Sequence, residues 1–133
     1  VIVSSDESKN EYYYQNSIKA LVCSGTATLE IAQRNIPQLI IYKLNFLTVL
    51  IAKGFIKVKY ANILNIIENK MIIPEITNQN LNNKIFLSNF VQLMNNEDLN
   101  LVQIKNINKS LLKIQSNLPP YEIATKTILK YLN

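Results

Sequence analysis

Leu21-Val22-Cys23-Ser24-Gly25-Thr26-Ala27-Thr28-Leu29-Glu30 places an apolar strand, a small-residue bend and a helix start in one unbroken run. That order gathers several main-chain N–H groups at one spot, with the positive end of a helix dipole behind them. A diphosphate is the natural guest of such a bend. Glu30 follows about one turn into the helix, where a carboxylate repels phosphate but accepts hydrogen bonds from the paired hydroxyls of a sugar. Together the two parts predict a nucleotide-sugar pocket built on Ser24, Gly25, Thr26 and Glu30. Each part has a plainer alternative. Small residues are common at any strand-to-helix turn, Gly25 can serve only to supply a positive φ, and Glu30 can be a solvated surface acid. With Thr26 taken as the N-cap, the third helical position is Leu29, so Glu30 comes one residue too late for a capping box.

Working outward, Val1-Ile2-Val3 reads as a short buried strand and residues 11–19 as a helix with Tyr13, Tyr14 and Ile18 on its apolar side. Residues 20–23 are the next strand and 26–35 a helix ended by Asn35-Ile36-Pro37. Leu39-Ile40-Ile41 lies within a strand over 38–42 whose continuous hydrophobicity suits a parallel strand covered on both faces. Residues 45–58 form an apolar helix and 60–65 a loop, and Pro74 opens another loop after Met71-Ile72-Ile73. The last third reads as helices: 82–95 with Phe86, Phe90, Leu93 and Met94 on one side, 99–118 with Ile104, Ile107, Leu111, Ile114 and Leu118 at spacings of three and four, and 121–132 after Pro119-Pro120. The expected fold is α/β, with a parallel sheet of about three strands followed by C-terminal helices. Residues 1–79 are expected to form the nucleotide-binding region and 80–133 the helical remainder of the same domain.

Composition narrows the chemistry. The 133 residues are 48% hydrophobic, enough for one packed domain, and only 17% charged. The net charge of +5 is almost all lysine, Arg34 being the only arginine, so the arginine forks and clustered basic faces of nucleic-acid readers are missing and no nucleic-acid partner is expected. Lys53, Lys57 and Lys59 form a loose cluster, read as solvated surface or, alternatively, as an attraction to an anionic membrane. The abundance of asparagine reads as a coding preference and receives no role. Cys23, the single cysteine, reads as a core residue in a reducing compartment, and with no histidine no zinc site or Cys–His pair can be built. No metal or cofactor is expected. No signal segment is visible, and the longest apolar stretch, 46–56, holds Lys53 and Gly54 and is too short to cross a bilayer. The chain opens at Val1 without methionine, which reads as an entry partway through a larger fold.

Over residues 20–78 the chain resembles the donor-binding half of the lipid-A-disaccharide synthases, GT-B glycosyltransferases of bacteria with an outer membrane. Ser24-Gly25-Thr26-Ala27-Thr28-Leu29-Glu30 is similar to the family's Ser-Gly-Thr-Ala-x-x-Glu element. Pro37 and the strand ending in Tyr42-Lys43 resemble Pro-x-x-x-x-Tyr-Arg/Lys, and Ala52-Lys53 fits the helix that follows. Lys57-Val58-Lys59-Tyr60, then Asn65, resembles the stretch ending in Leu-Pro-Asn, with Leu64 in place of the proline, and Ile72-Ile73-Pro74-Glu75 resembles Val-Val-Pro-Glu.

The resemblance implies a partial Rossmann-like domain of the GT-B type, and it implies a reaction. A 2,3-diacylglucosamine passes from its UDP carrier to the 6-hydroxyl of 2,3-diacylglucosamine 1-phosphate, with inversion, giving a β-1,6 disaccharide and UDP. It implies that the Ser24, Gly25 and Thr26 amides, with the charge of Lys43, hold the UDP diphosphate as it gains charge on leaving. It implies Glu30 on the ribose hydroxyls and Tyr60 and Asn65 beside the donor sugar. Lysine at position 43 is a point charge where the family's arginine is a two-pronged donor. No residue here is a convincing catalytic base, so the base and the acceptor site are expected in a missing N-terminal half, and the chain alone is expected to be inactive. The expected location is cytoplasmic, peripheral on the inner membrane if the 45–58 helix exposes Phe46, Leu47, Leu50 and Ile51 there instead of packing them in the core. The competing readings are a non-catalytic remnant or partner-dependent module, and an unrelated nucleotide-binding domain that shares only the bend.

Overall fold

In the computed structural model, residues 7–23, 25–42, 59–77, 82–115 and 119–132 are described. Three short parallel strands form a sheet in the order β1-β2-β3: β1 (Ala20–Cys23), β2 (Gln38–Ile41) and β3 (Glu75–Ile76). Ala20 pairs with Gln38 and Cys23 with Ile41 across the first pair, and Ile40 with Glu75 and Ile41 with Ile76 across the second. The helices are α1 (Glu7–Gln15), α2 (Thr26–Gln33), α3 (Ile63–Glu68), α4 (Asn83–Asn95), α5 (Glu97–Ile114) and α6 (Pro120–Leu132). This is the mixed α/β architecture with a three-strand parallel sheet that the sequence predicts. The third strand differs from the expected one: it is Glu75–Ile76, beyond Pro74, whereas Val1-Ile2-Val3 and the 45–58 helix lie outside the described residues.

The central strand is covered on both faces, as its unbroken apolar run requires. Leu39 turns to one side, where Ile76, Leu93 and the partly buried Phe86 and Phe90 of α4 meet it. Ile40 turns to the other, into a cluster with Ala32 of α2, Leu64 of α3, Ile72, Ile73, and Ile107 and Leu111 of α5. Full burial of one such side chain contributes about 1.5–3 kcal/mol. A third cluster joins Val22, Ile31 and Ile36, with Tyr14 of α1 against it.

The β1 edge departs from expectation. Cys23 is exposed, not core, and Leu21 on the same face of the strand is half exposed. The strand is an edge of the described sheet, and among the described residues only its Val22 face is covered. α1 also stops earlier than the apolar spacing suggests. Asn16 and Ser17 donate side-chain hydrogen bonds back to the carbonyls of Tyr12 and Tyr13 at 2.8 and 2.6 Å, which satisfies the last turn and ends it. Ile18 therefore falls outside the helix and is exposed. Met94 is likewise exposed, while Asn100, Gln103 and Ser110 share the buried face of α5.

Asparagine turns out to punctuate this fold. Asn62, Asn82 and Asn96 are the N-caps of α3, α4 and α5, each accepting main-chain N–H groups of its helix's first turn. Asn69 ends α3 in the left-handed region at φ 46°, and Asn35 stands at φ 58° after α2. In a chain with two glycines, asparagine takes the positions where helices usually end on glycine.

Polar side chains also extend the sheet. The N–H groups of Ile40 and Tyr42 reach β3 and the residue before it. Gln38 has no such neighbour, and Gln103 of α5 takes its place, accepting the Gln38 N–H at 2.7 Å and donating to its carbonyl at 3.1 Å. At the far end of α5, Lys113 lies 2.7 Å from the Glu68 carboxylate and holds it below the usual glutamate range. A carboxylate depressed in the folded state contributes stability that is complete above the unfolded glutamate value and is lost as pH falls through the folded one. Chemical denaturation of Lys113→Met between pH 7 and pH 3 is expected to show a shallower loss of stability on the acid side than the parent, with the two curves converging at the lowest pH.

Candidate functional site

Two residues separate β1 from α2. Gly25 is the N-cap of α2, with φ 127° and ψ −154°, a region essentially closed to residues with a Cβ. Space is not the constraint, because a Cβ built there meets nothing within 4 Å; the backbone angle alone demands glycine. Thr26, expected as the cap, is instead the first helical residue, and Gly25 supplies no side-chain cap. The third helical position is therefore Thr28, and Glu30 still lies beyond reach of a capping box. Gly25 and Thr26 are both exposed. Ser24 and Lys43 lie outside the described residues.

Glu30 is exposed on the second turn of α2 and is held from the side of α1. Tyr14 donates its hydroxyl to Glu30 Oε2 at 3.1 Å. Burial, and after it the bond to Glu30, pushes the Tyr14 hydroxyl above the usual tyrosine value, which keeps it a donor. The Arg34 guanidinium lies 4.5 Å over the Tyr14 ring, donates to the Glu30 carbonyl at 3.0 Å and pairs with Glu11. Tyr60 is half-buried, with the Lys59 ammonium 5.2 Å from its ring centre.

Asn65 stands differently from its expected place beside a sugar. It is fully buried. Its Oδ1 accepts the N–H groups of Ile72 and Ile73 at 2.8 and 3.0 Å, and its Nδ2 donates to the Ile73 carbonyl at 2.8 Å. The side chain ties α3 to the segment entering β3 and commits both acceptor positions of Oδ1 and one Nδ2 proton there.

Three residues to which the sequence reading assigns no role connect these parts. Glu75, almost wholly buried in β3, accepts the main-chain N–H of Ala61 at 3.0 Å and of Asn62 at 2.9 Å. Asn62 caps α3 through Oδ1 and donates through Nδ2 to Thr28 Oγ1 at 3.2 Å. Thr28, also buried, donates its hydroxyl to the Gly25 carbonyl at 2.8 Å. The usable signal was Glu75 itself: an acid directly after an apolar run is set to be buried, and a buried carboxylate must find donors. Tyr42 closes the same loop, its hydroxyl 3.4 Å from the Ala61 carbonyl.

Two concavities, of about 310 and 440 Å³, open elsewhere, at the amino ends of the strands around Gln38, Pro74 and Gln103 and around Arg34, Pro37 and Glu97. Gly25, Thr26 and Glu30 line neither of them. Among the described residues no group of three or more His, Cys, Asp or Glu could hold a metal ion, and no helix is long and apolar enough to cross a membrane.

Comparison with known proteins identifies a family and its relatives. The lipid-A-disaccharide synthetase family matches residues 2–125. The lipid-A-disaccharide synthase of Rickettsia bellii (strain OSU 85-389) is 38% identical over 117 residues, covering 86% of this chain and 31% of that protein. The Rickettsia prowazekii (strain Madrid E) enzyme is 35% identical over the same coverage. Lipid-A-disaccharide synthase 1 of Legionella pneumophila (strain Philadelphia 1) is 41% identical over 98 residues, 74% of this chain and 24% of that protein. The chain thus spans less than a third of the length of these relatives. With the matched region covering almost its whole length, the chain belongs to the lipid-A-disaccharide synthetase family of glycosyltransferases.

Proposed function

We propose that this chain is the donor-binding portion of a lipid-A-disaccharide synthase. Residues 1–79 form the UDP-sugar-binding region and 80–133 its helical support. The observation that carries the reading is Gly25: its φ of 127° opens the start of α2, with no side-chain cap, toward an exposed bend. On this reading the amides of Ser24, Gly25 and Thr26, with Lys43, hold the diphosphate of UDP-2,3-diacylglucosamine. Glu30, oriented by Tyr14, takes the ribose hydroxyls, and Tyr60 borders the sugar. Asn65 serves from behind, fixing the floor of the site without touching the sugar.

In the proposed reaction the bond between the sugar's anomeric carbon and the diphosphate breaks, and its electron pair leaves with UDP. The 6-hydroxyl oxygen of 2,3-diacylglucosamine 1-phosphate bonds to that carbon from the opposite face. Its proton goes to a base outside this chain. Amides fixed at the bend stabilise the charge that grows on the diphosphate, which lowers the barrier instead of merely tightening binding. The acceptor site and the base belong to the remainder of the enzyme, so the chain alone binds UDP without transferring sugar. It works in the cytoplasm against the inner membrane, where its acylated substrates reside.

Titration with UDP tests this directly. The chain is expected to bind UDP and to respond more weakly to ADP and GDP. Gly25→Ala, forced into a conformation that costs a side-chain-bearing residue about 1–3 kcal/mol, and Glu30→Ala, deprived of its charge-assisted hydrogen bonds, are each expected to weaken UDP by about tenfold or more, equivalent to about 1.4 kcal/mol. Equal affinity for the three nucleotides, unaffected by either change, would sink the proposal, as would disaccharide synthesis by the purified chain.

A further inference from the structure

Thr28 is two residues beyond the bend and fully inside the protein, yet its side chain holds the bend's geometry. A hydroxyl has one proton to give. The orientation of Asn62 is set by its cap: Oδ1 accepts the Leu64 N–H at 2.9 Å, so Nδ2 faces Thr28 and donates to Oγ1 at 3.2 Å. The Thr28 proton is thereby directed to the Gly25 carbonyl at 2.8 Å. The Thr28 main-chain N–H reaches the same carbonyl at 3.2 Å. Two donors from one residue therefore pin the Gly25 carbonyl toward the helix. The peptide joining Gly25 to Thr26 is planar and trans, like every described peptide bond in the chain, so its N–H points opposite to its carbonyl. Pinning the Gly25 carbonyl inward aims the Thr26 N–H outward, into the bend.

The pin is anchored far from the bend. Asn62 is held through its own N–H by Glu75 at 2.9 Å, and Glu75 also takes the Ala61 N–H at 3.0 Å. Glu75 is fixed by strand pairing with Ile40. Gln38, two residues before Ile40 in β2, donates through Nε2 to the Thr28 carbonyl at 3.0 Å, so Thr28 is held at both its side chain and its main chain. The same contacts set the loop carrying Tyr60 against the start of α2.

We infer that Thr28, held by Asn62 and Glu75, is a positioning residue that aims the Thr26 N–H at the diphosphate of the bound nucleotide. The inference rests on the donor-site reading given above. It touches no substrate atom itself; it acts through the Gly25–Thr26 peptide.

The test compares Thr28→Val, Thr28→Ser and Ile107→Val in the full chain, with UDP as probe and nuclear magnetic resonance as readout. Thr28→Val keeps the shape and removes the hydroxyl; Thr28→Ser restores the hydroxyl and loses a methyl group; Ile107→Val removes a methyl group from the core without touching the bend. Thr28→Val is expected to weaken UDP about tenfold, with Thr28→Ser and Ile107→Val within about twofold of the parent. The Gly25 carbonyl carbon resonance is expected to move upfield in Thr28→Val, as a lost hydrogen bond requires, and to stay in place in the other two. UDP affinity unchanged in Thr28→Val, or lost equally in Thr28→Ser, overturns the inference. If the parent chain binds no UDP, the donor-site reading falls. In that event the Gly25 resonance still decides whether Thr28 sets the bend, and an unmoved resonance in Thr28→Val overturns that as well.

Discussion

Asn65→Ala is expected to lower folding stability by about 3–4 kcal/mol, read from urea denaturation as a drop in midpoint at constant slope. The side chain has no exposed surface, and removing it leaves the N–H and the carbonyl of Ile73 without their partner and the Ile72 N–H with only the Lys70 carbonyl at 3.0 Å. Each buried group left unsatisfied costs about 1–3 kcal/mol, with part of the sum recovered by local relaxation. The damage lands in the core, because Ile72 and Ile73 both pack with Ile40, Leu64 and Ile107. A domain of this size has only about 5–15 kcal/mol in hand, so the substitution removes a large share of it. Asn65→Asp is expected to do little better. It keeps the acceptor for the two N–H groups but turns a second oxygen toward the Ile73 carbonyl. The rival expectation, Asn65 as a sugar ligand, predicts the reverse pattern: stability within about 1 kcal/mol of the parent, as for a surface polar change, with the loss confined to donor binding.

That contrast marks where the sequence was legible. Apolar order was enough for β2, because three successive apolar residues, Leu39, Ile40 and Ile41, bounded by Pro37 have few other solutions in an α/β chain. It was enough for α4 and α5, whose Phe86, Phe90, Leu93, Ile107 and Leu111 recur at helical spacing. The bend at Gly25 was legible for a related reason: strand, glycine and helix start leave little freedom in how the chain turns. The polar interior was not. An asparagine that caps a helix, one that enters the left-handed region, and one that clamps three main-chain groups have the same letter, and only the fold separates Asn62, Asn69 and Asn65. Cys23 failed for the opposite reason. An apolar run says that a strand exists, but which of its faces is covered depends on neighbours that the run does not contain. Thr28 shows the limit at the site itself. Its neighbours in sequence suggest a binding bend, yet its role comes from Asn62 and Glu75, residues 34 and 47 positions away.

Glu75→Ala is expected to cost about 3 kcal/mol, and its consequences should reach the bend. A carboxylate in a buried strand is unfavourable unless donors replace water, and here both oxygens receive main-chain N–H groups, from Ala61 and Asn62. Hydrogen bonds to a charged acceptor contribute about 1.5–3 kcal/mol each. One of the two donors sits at the better-solvated Ala61 and recovers part of its loss from water, so the sum falls short of additive. Glu75→Gln keeps one acceptor but turns an amide donor toward the other N–H, and is expected to be intermediate, at about 2 kcal/mol. The order parent, Gln, Ala in urea midpoint separates this from a generic core defect, in which the isosteric glutamine would match the parent. Position in the chain of contacts adds a second expectation. Asn62 is anchored through its N–H by Glu75 and reaches Thr28 through its side chain. Loosening Glu75 should therefore weaken UDP binding at a temperature where the variant is still folded, by less than Thr28→Val does, because the cap on Leu64 still restrains Asn62. A Glu75→Ala variant within about 1 kcal/mol of the parent would mean that water replaces the carboxylate at both N–H groups, and that the loop over 59–62 holds its place without β3.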